Sequence, residues 1–415
     1  MMIDELKMRW YQAFGDYDSL KASCEAQVNR WEWAKNQRYE LRPYYFERFQ
    51  QTRGRVLKAE PEDKEFHWQY GLDTQNRVVV TRQYTSYPDP AQPVWEWMSH
   101  RRLVMMFREE FTLYHENFTE TVEYSFFHSK IPVGIRFYHY QDTGQLASFE
   151  ELILNVGPEL KSFVPADIYK LGETTGSITF CEEHYYEETN RLTRIEARYL
   201  KADGTLSHRI ANFLTYTSSG RLEQIVQEWQ DISESHTSFV YRRTGKSLKV
   251  IGEEYKQKLF EYIPEILTKA KVNEPVYCMV LTYNMPDYSP QNLMLALGLE
   301  SERQRILEQF DAEEAQYTLW TPIYPLIPLG SNTELNEIGQ LFQQLVSMKE
   351  AWNTATKLFD QTAAELMKLN WAEILATTSD FVIYAADYEI DDIKKRMKAS
   401  VPSTLLAQLR KKGWL

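Results

Sequence analysis

Hydrophobic positions change period along this chain, and each change predicts a different kind of element. In the first 40 residues apolar side chains recur three or four apart, at Leu6, Trp10 and Phe14 and then at Leu20, Cys24, Val28 and Trp31. That spacing puts them on one helical face, and Gly15-Asp16 between the two sets predicts a break into two helices. From about 43 to 251 the period falls to two, as in Ser177 to Tyr186 and Leu222 to Trp229, where β-branched and aromatic residues mix with charges. Strands half exposed to solvent have this composition. Past 253 the helical period returns through Tyr255, Leu259, Ile263 and Leu267. Two near-continuous apolar runs then follow, Val276–Tyr283 and Phe381–Ala386, with helical stretches expected at 291–309 and 333–369 between them. Strands buried on both faces and separated by helices indicate an α/β layer.

Within the period-two region one phrase recurs seven times: an aromatic, a few polar residues, Gly or Asn, one more residue or two, then an aliphatic. It runs Phe49…Gly54…Val56, Tyr70…Asn76…Val78, Tyr140…Gly144…Leu146, Tyr186…Asn190…Leu192, Tyr199…Gly204…Leu206, Tyr216…Gly220…Leu222 and Tyr241…Gly245…Leu248. A strand, a turn position needing φ > 0 and a returning strand make a hairpin, so the phrase predicts a long antiparallel meander. The segment from about 147 to 173, with Gly157, Pro158, Pro165 and Gly172, reads as an insertion or corner in that series.

The fold class expected is α+β, divided into a helical N-terminal cap at 1–42, an antiparallel β-meander at 43–251, a linking helix at 252–273 and a C-terminal α/β domain at 274–415. The cap is expected to cover the exposed edge of the sheet. Pro264 costs about 3 kcal/mol inside a helix, which predicts a kink or two short helices. The Pro-rich stretch Trp320 to Pro328 is too apolar for a solvent loop and is expected to pack down or serve as a contact.

Composition narrows the function classes. Cys24, Cys181 and Cys278 are odd in number and far apart, which argues against disulfides and a Cys-based zinc site and for a reducing, cytoplasmic compartment. No apolar run reaches the roughly 18 residues of a membrane helix, and no signal region opens the chain. The net charge of −12 weighs against nucleic acid and suits a basic protein partner. No nucleophile elbow, phosphate loop, dinucleotide fingerprint or His-Glu-x-x-His occurs, and no cofactor is implied.

Two acidic runs are candidate contact sites. In the first, Glu182, Glu183, His184, Tyr186, Glu187 and Glu188 crowd one predicted strand, with Glu182, His184, Tyr186 and Glu188 on one face. Carboxylates flanking an imidazole can hold a metal or act as acid and base, and the same residues can equally pair with Arg191, Arg194 and Arg198 on the next strand. The second, Asp387, Glu389, Asp391 and Asp392, follows the last buried strand, where α/β folds place function, and its aspartates also suit a helix N-terminus.

The phrase at Tyr216 to Leu222 resembles the YD repeat of bacterial Rhs-type toxin-delivery proteins and the meander repeats of some antitoxin-like proteins; no Asp follows the Tyr in any copy. Residues 274–415, through the Trp-Thr-Pro loop and the Asp380 to Asp387 strand, resemble the uncharacterised bacterial domain family DUF4303. These resemblances imply a bacterial immunity role by association. The expectation is a cytoplasmic protein-binding protein that neutralises a basic toxin by occlusion, with a metal-assisted hydrolase at His184 or a component of a larger assembly as alternatives.

Overall fold

Five of the seven phrases close hairpins of one type. At Asp73, Gln141, Glu187, Lys201 and Thr217 the carbonyl accepts from the N–H three residues on, and the N–H of the same residue donates to the carbonyl four residues on. The residue between, Asn76, Gly144, Asn190, Gly204 or Gly220, has φ between 62° and 81°. Each turn is closed by a left-handed residue, a conformation that Gly and Asn adopt at little cost. The phrase's aromatic has its own task. Tyr186 donates to the Leu146 carbonyl at 3.0 Å and Tyr216 to that of Leu192 at 2.6 Å, each tying one hairpin to its predecessor.

The structure, a computed structural model, describes residues 3–88, 102–126, 130–154, 178–201, 204–230, 235–284, 292–322, 325–387 and 393–415. The chain forms two compact units, Met1–Arg243 and Thr244–Leu415. In the first, thirteen antiparallel strands run in spatial order β2-β1-β3 and then sequentially to β13. They are β1 (Arg30–Lys35), β2 (Arg55–Val56), β3 (His67–Leu72), β4 (Val78–Pro88), β5 (Arg102–Tyr114), β6 (Phe118–Ser125), β7 (Ile131–Tyr140), β8 (Leu146–Ile153), β9 (Ile178–Tyr186), β10 (Leu192–Leu200), β11 (Leu206–Tyr216), β12 (Leu222–Gln230) and β13 (Ser235–Arg242). The α+β meander expected from the periodicity is thus what forms. Of the 147–173 insertion, the first part is strand β8, and the remainder falls outside the described residues except Leu154.

One helix, α1 (Ile3–Glu25), replaces the expected pair. Gly15 does not break it, because Trp10, Ala13, Tyr17 and Leu20 keep one face buried on either side of it. That face covers the sheet rather than its edge, packing on Val80, Phe111, Val122, Tyr124 and Ile135. Trp10 also donates its indole N–H to the Pro132 carbonyl at 2.6 Å. Trp31, read as helical, lies in β1.

The connector from 36 to 54, with the single-turn helix α2 (Tyr45–Arg48), runs across the opposite sheet face. Its contacts span the sheet: Arg38 N–H donates to the Tyr70 hydroxyl on β3, Arg48 pairs with Glu182 on β9, and Gln50 donates to the Val240 carbonyl on β13 at 2.7 Å. The first phrase therefore makes no hairpin. Gly54 is needed for close approach, since a Cβ there would meet the Asn36 carbonyl oxygen at 2.2 Å. The last phrase makes none either, because Ser247 caps a helix by accepting from Val250 N–H.

That helix, α3 (Leu248–Ala270), opens the second unit and contains Pro264 within its span. Strands β14 (Val276–Thr282), β15 (Met294–Leu299), β16 (Leu326–Pro328) and β17 (Thr377–Ala386) form a sheet of order β16-β15-β14-β17, with β14 parallel to β17. Part of the helix expected at 291–309 is β15; only α4 (Glu300–Gln309) is helical, followed by α5 (Ala312–Leu319). The 333–369 stretch is two helices, α6 (Thr333–Lys349) and α7 (Trp352–Leu366), parted at Glu350 with φ 51°. Helices α8 (Ile393–Ser400) and α9 (Ser403–Lys411) end the chain. Alternate residues of β14 face two apolar cores: Met279 and Leu281 meet Tyr255, Phe342 and Phe359, while Cys278 and Val280 meet Trp320, Met397 and Leu409. Trp320 of the Pro-rich stretch is packed down, 2% exposed.

Candidate functional site

Strand register assembles a charged cavity on the sheet face under the connector. Across β5, β6 and β7 one row reads Glu110, Glu123, Gly134; the next, continued onto β8, reads Thr112, Thr121, Arg136, Glu151. Two carboxylates opposite each other repel, and the row tolerates them because Gly134 leaves room for a cation from its neighbour. A Cβ on Gly134 would stand 3.3 Å from Glu123 Oε2 and 3.4 Å from an Arg136 nitrogen. Arg136 fills that room and contacts Glu110, Glu123 and Glu151 at once.

Above these rows lies a cavity of about 440 Å³, within the usual range for small-ligand sites. Its roof comes from Tyr39, Glu40, Arg42 and Tyr45 of the connector; its floor includes Trp68, Glu110, Thr121, Glu123, Arg136 and Tyr138. The connector is conformationally forced on either side of Tyr45, with φ of 54° at Tyr44 and 50° at Gln50. Left-handed backbone at a bulky residue costs on the order of 1–2 kcal/mol and persists only where surrounding contacts impose it.

One guanidinium cannot neutralise three carboxylates, and they divide it unequally. Burial alone would raise Glu123, but Arg136 together with Arg108, 2.9 Å away, holds it below the ordinary carboxylate range. Glu110 is pushed up to about 7 by burial, which Arg136 only partly offsets and the charges of Glu123, Glu40 and Glu151 reinforce. At neutral pH Glu110 is therefore poised between carboxyl and carboxylate. One buried wall atom is also unmet: Thr121 is 2% exposed and its hydroxyl has no hydrogen-bond partner, whereas Glu123 Oε1 stands 2.9 Å from an Arg108 nitrogen. Buried polar atoms left this way are rare in folded proteins and point to a missing partner.

The residues picked from sequence are scattered. Glu182 is not on an exposed face: its side chain is fully buried, and Arg48 of α2 grips both its oxygens, overcoming the burial penalty to hold its pKa far below the ordinary value. His184, also buried, places Nε2 3.3 Å from Glu182 Oε2, and neither ring nitrogen completes a hydrogen bond. Tyr186 is occupied by the Leu146 carbonyl. On the other face Glu183 pairs with Arg198, diagonally across the strands, and at the turn Glu187 pairs with Arg191, two of the arginines named as partners from the sequence. Glu188 is exposed. Asp387 is 2% exposed, and Glu389, Asp391 and Asp392 lie outside the described residues. Among the described residues no group of three or more His, Cys, Asp or Glu gathers closely enough to hold a metal ion.

The cavity residues escaped sequence reading because they are spread over the connector and five strands and form no run in the sequence. A usable signal existed: Glu120 and Glu123 interrupt Phe118–Ser125, a strand buried through most of its length, and a charge in such a strand requires a partner.

No family model and no curated protein matches the chain. Among solved structures, a porin-like protein of Bacteroides uniformis is similar at 9% identity and a TM-score of 0.26, over 44% of this chain and 55% of that one. The match thus spans about half the length of that protein, and a likeness so low carries no argument. No described helix is long and apolar enough to cross a membrane.

Proposed function

We propose that the meander unit is a ligand-binding module without turnover, its ligand a small polar molecule held between the connector and strands β3–β7. The observation that carries this reading is the orphaned Thr121 hydroxyl in the wall of the 440 Å³ cavity, nearly inaccessible yet unmatched by any protein group. The forced connector backbone on either side of Tyr45 supports it, since such conformations cluster where a ligand is clamped. Testing uses calorimetric titration of the full chain with a panel of anionic, neutral and cationic polar compounds, repeated on Thr121→Val. A true occupant binds the wild type and at least about tenfold more weakly to Thr121→Val, the usual cost of one lost buried hydrogen bond. If no compound discriminates between the two proteins, the reading fails.

Occlusion of a basic protein partner, as an immunity protein, is a second proposal. The exposed Glu188 beside Glu183 and Glu187 supports it, together with the net charge of −12. Reversing those three charges should slow association with such a partner and flatten its salt dependence; unchanged kinetics would remove this face from consideration.

A further inference from the structure

Building on the ligand-binding reading, we propose that the cavity's occupant is a neutral pyranose sugar, its hydroxyls bonded to Thr81, Thr112, Thr121 and Tyr138 and its ring set against Trp68. The first support is the set of wall groups that have nothing to bond. Thr81, Thr112 and Tyr138 are buried and line the cavity beside Thr121, and among the described residues their hydroxyls meet no protein donor or acceptor. Strand pairing gathers them: Thr81 stands opposite Glu110, and Thr112 opposite Thr121, with Arg136 next in the row. A hydroxyl donates one hydrogen bond and accepts two, so four of them suit a ligand whose own groups do both. The hydroxyls of a sugar have that property, whereas an ammonium only donates and a carboxylate only accepts.

The charged wall groups, by contrast, are matched within the protein. Arg42 pairs with Glu40, Arg77 with Asp73 and Arg108 with Glu123, while Arg136 contacts Glu110, Glu123 and Glu151. Arg53 pairs with no carboxylate among the described residues; it is exposed, and its Nε donates to the Arg38 carbonyl. An ion of either sign entering the cavity has to compete with standing pairs, and a buried pair that loses a partner is costly. A neutral ligand leaves every pair in place.

The rings divide in the same way. Arg42 lies 4.7 Å over Tyr45 and Arg77 4.3 Å over Tyr114, so cations already cover those two. Trp68 lies within 9° of parallel to Tyr70, 6.2 Å away; among the described residues no cation lies over it and its indole N–H bonds to nothing. It offers an apolar ring and one donor together. A pyranose is the complement, apolar on its C–H faces and polar around its edge.

Saturation-transfer NMR and calorimetry of the full chain at pH 7 test this with the methyl pyranosides of glucose, galactose and mannose, each beside its uronate and its 2-amino counterpart. At least one neutral glycoside should bind, and both charged forms of that sugar should bind at least about tenfold more weakly. Thr112→Val should weaken the glycoside about tenfold, as one lost buried hydrogen bond requires, and Trp68→Ala at least as much. In the wild type the Trp68 indole N–H resonance should shift at saturation, a readout that stands if either variant fails to fold. A charged form that matches or exceeds its neutral parent, an unmoved Trp68 resonance, or unchanged affinity in the folded variants overturns the proposal. If no pyranoside binds while another polar compound binds in a Thr121-dependent way, the sugar is overturned and the ligand-binding reading stands; no binding by any compound overturns both.

Discussion

Replacing Glu110 with Gln should stabilise the ligand-free protein above neutral pH, although the substitution removes a contact with Arg136. Folding raises this carboxyl from an ordinary 4.5 to about 7. Between those values the folded chain holds a proton that the unfolded chain has released, so stability falls as pH rises through the window. The penalty is absent below 4.5 and complete above 7, where a shift of that size corresponds to about 3 kcal/mol. About a quarter of the side chain's surface still reaches solvent, 25%, which screens the charge and makes that figure a ceiling. Gln matches the protonated acid in shape and cannot ionise. The variant should therefore equal the wild type near pH 4.5 and exceed it by about 1–3 kcal/mol at pH 8. Urea unfolding at both values, read through hydrogen exchange of the β5–β7 amides, isolates this unit without assuming that the two units unfold together. A variant weaker than wild type at pH 8, or a difference that does not grow with pH, would show that Arg136 fully satisfies Glu110 and would refute the reasoning.

Two substitutions test the frame around the site. Arg48→Met strands Glu182 in a dry environment and should cost about 3–5 kcal/mol at pH 7 by urea unfolding, while Arg48→Met with Glu182→Gln should recover most of it; additive losses would contradict a buried pair. At the β11–β12 turn, Gly220 has φ 76° and open space around it, so Gly220→Val should cost about 1–2 kcal/mol for the left-handed backbone alone, and Gly220→Asn far less. Equal costs for Val and Asn in thermal unfolding would mean the turn does not demand that conformation.

The meander was legible because its information is local. Each of the five working phrases holds its aromatic, its turn residue and its returning aliphatic within nine residues of sequence, and a hairpin needs nothing more. The two failures share a cause: Gly54 and Gly245 carry the same letters, but what surrounds them decides the outcome. Gly54 faces the Asn36 carbonyl, and Gly245 precedes Ser247, whose hydroxyl starts a helix. The site was illegible for the opposite reason. Glu110, Glu123, Arg136 and Glu151 lie up to 41 positions apart and meet only through the register of four strands, which a one-residue slip in any hairpin would abolish. The acidic run at 182–188 drew notice because its charges are adjacent in sequence, yet adjacency on a strand sends neighbours to opposite faces. Glu182 went inward to Arg48 and Glu183 outward to Arg198. In a sheet covered on both faces, the informative charge is the isolated one inside an apolar strand, because it must find its counter-charge on a neighbouring strand. Where that counter-charge is shared among three partners, as at Arg136, one of them, Glu110, is left with its pKa raised.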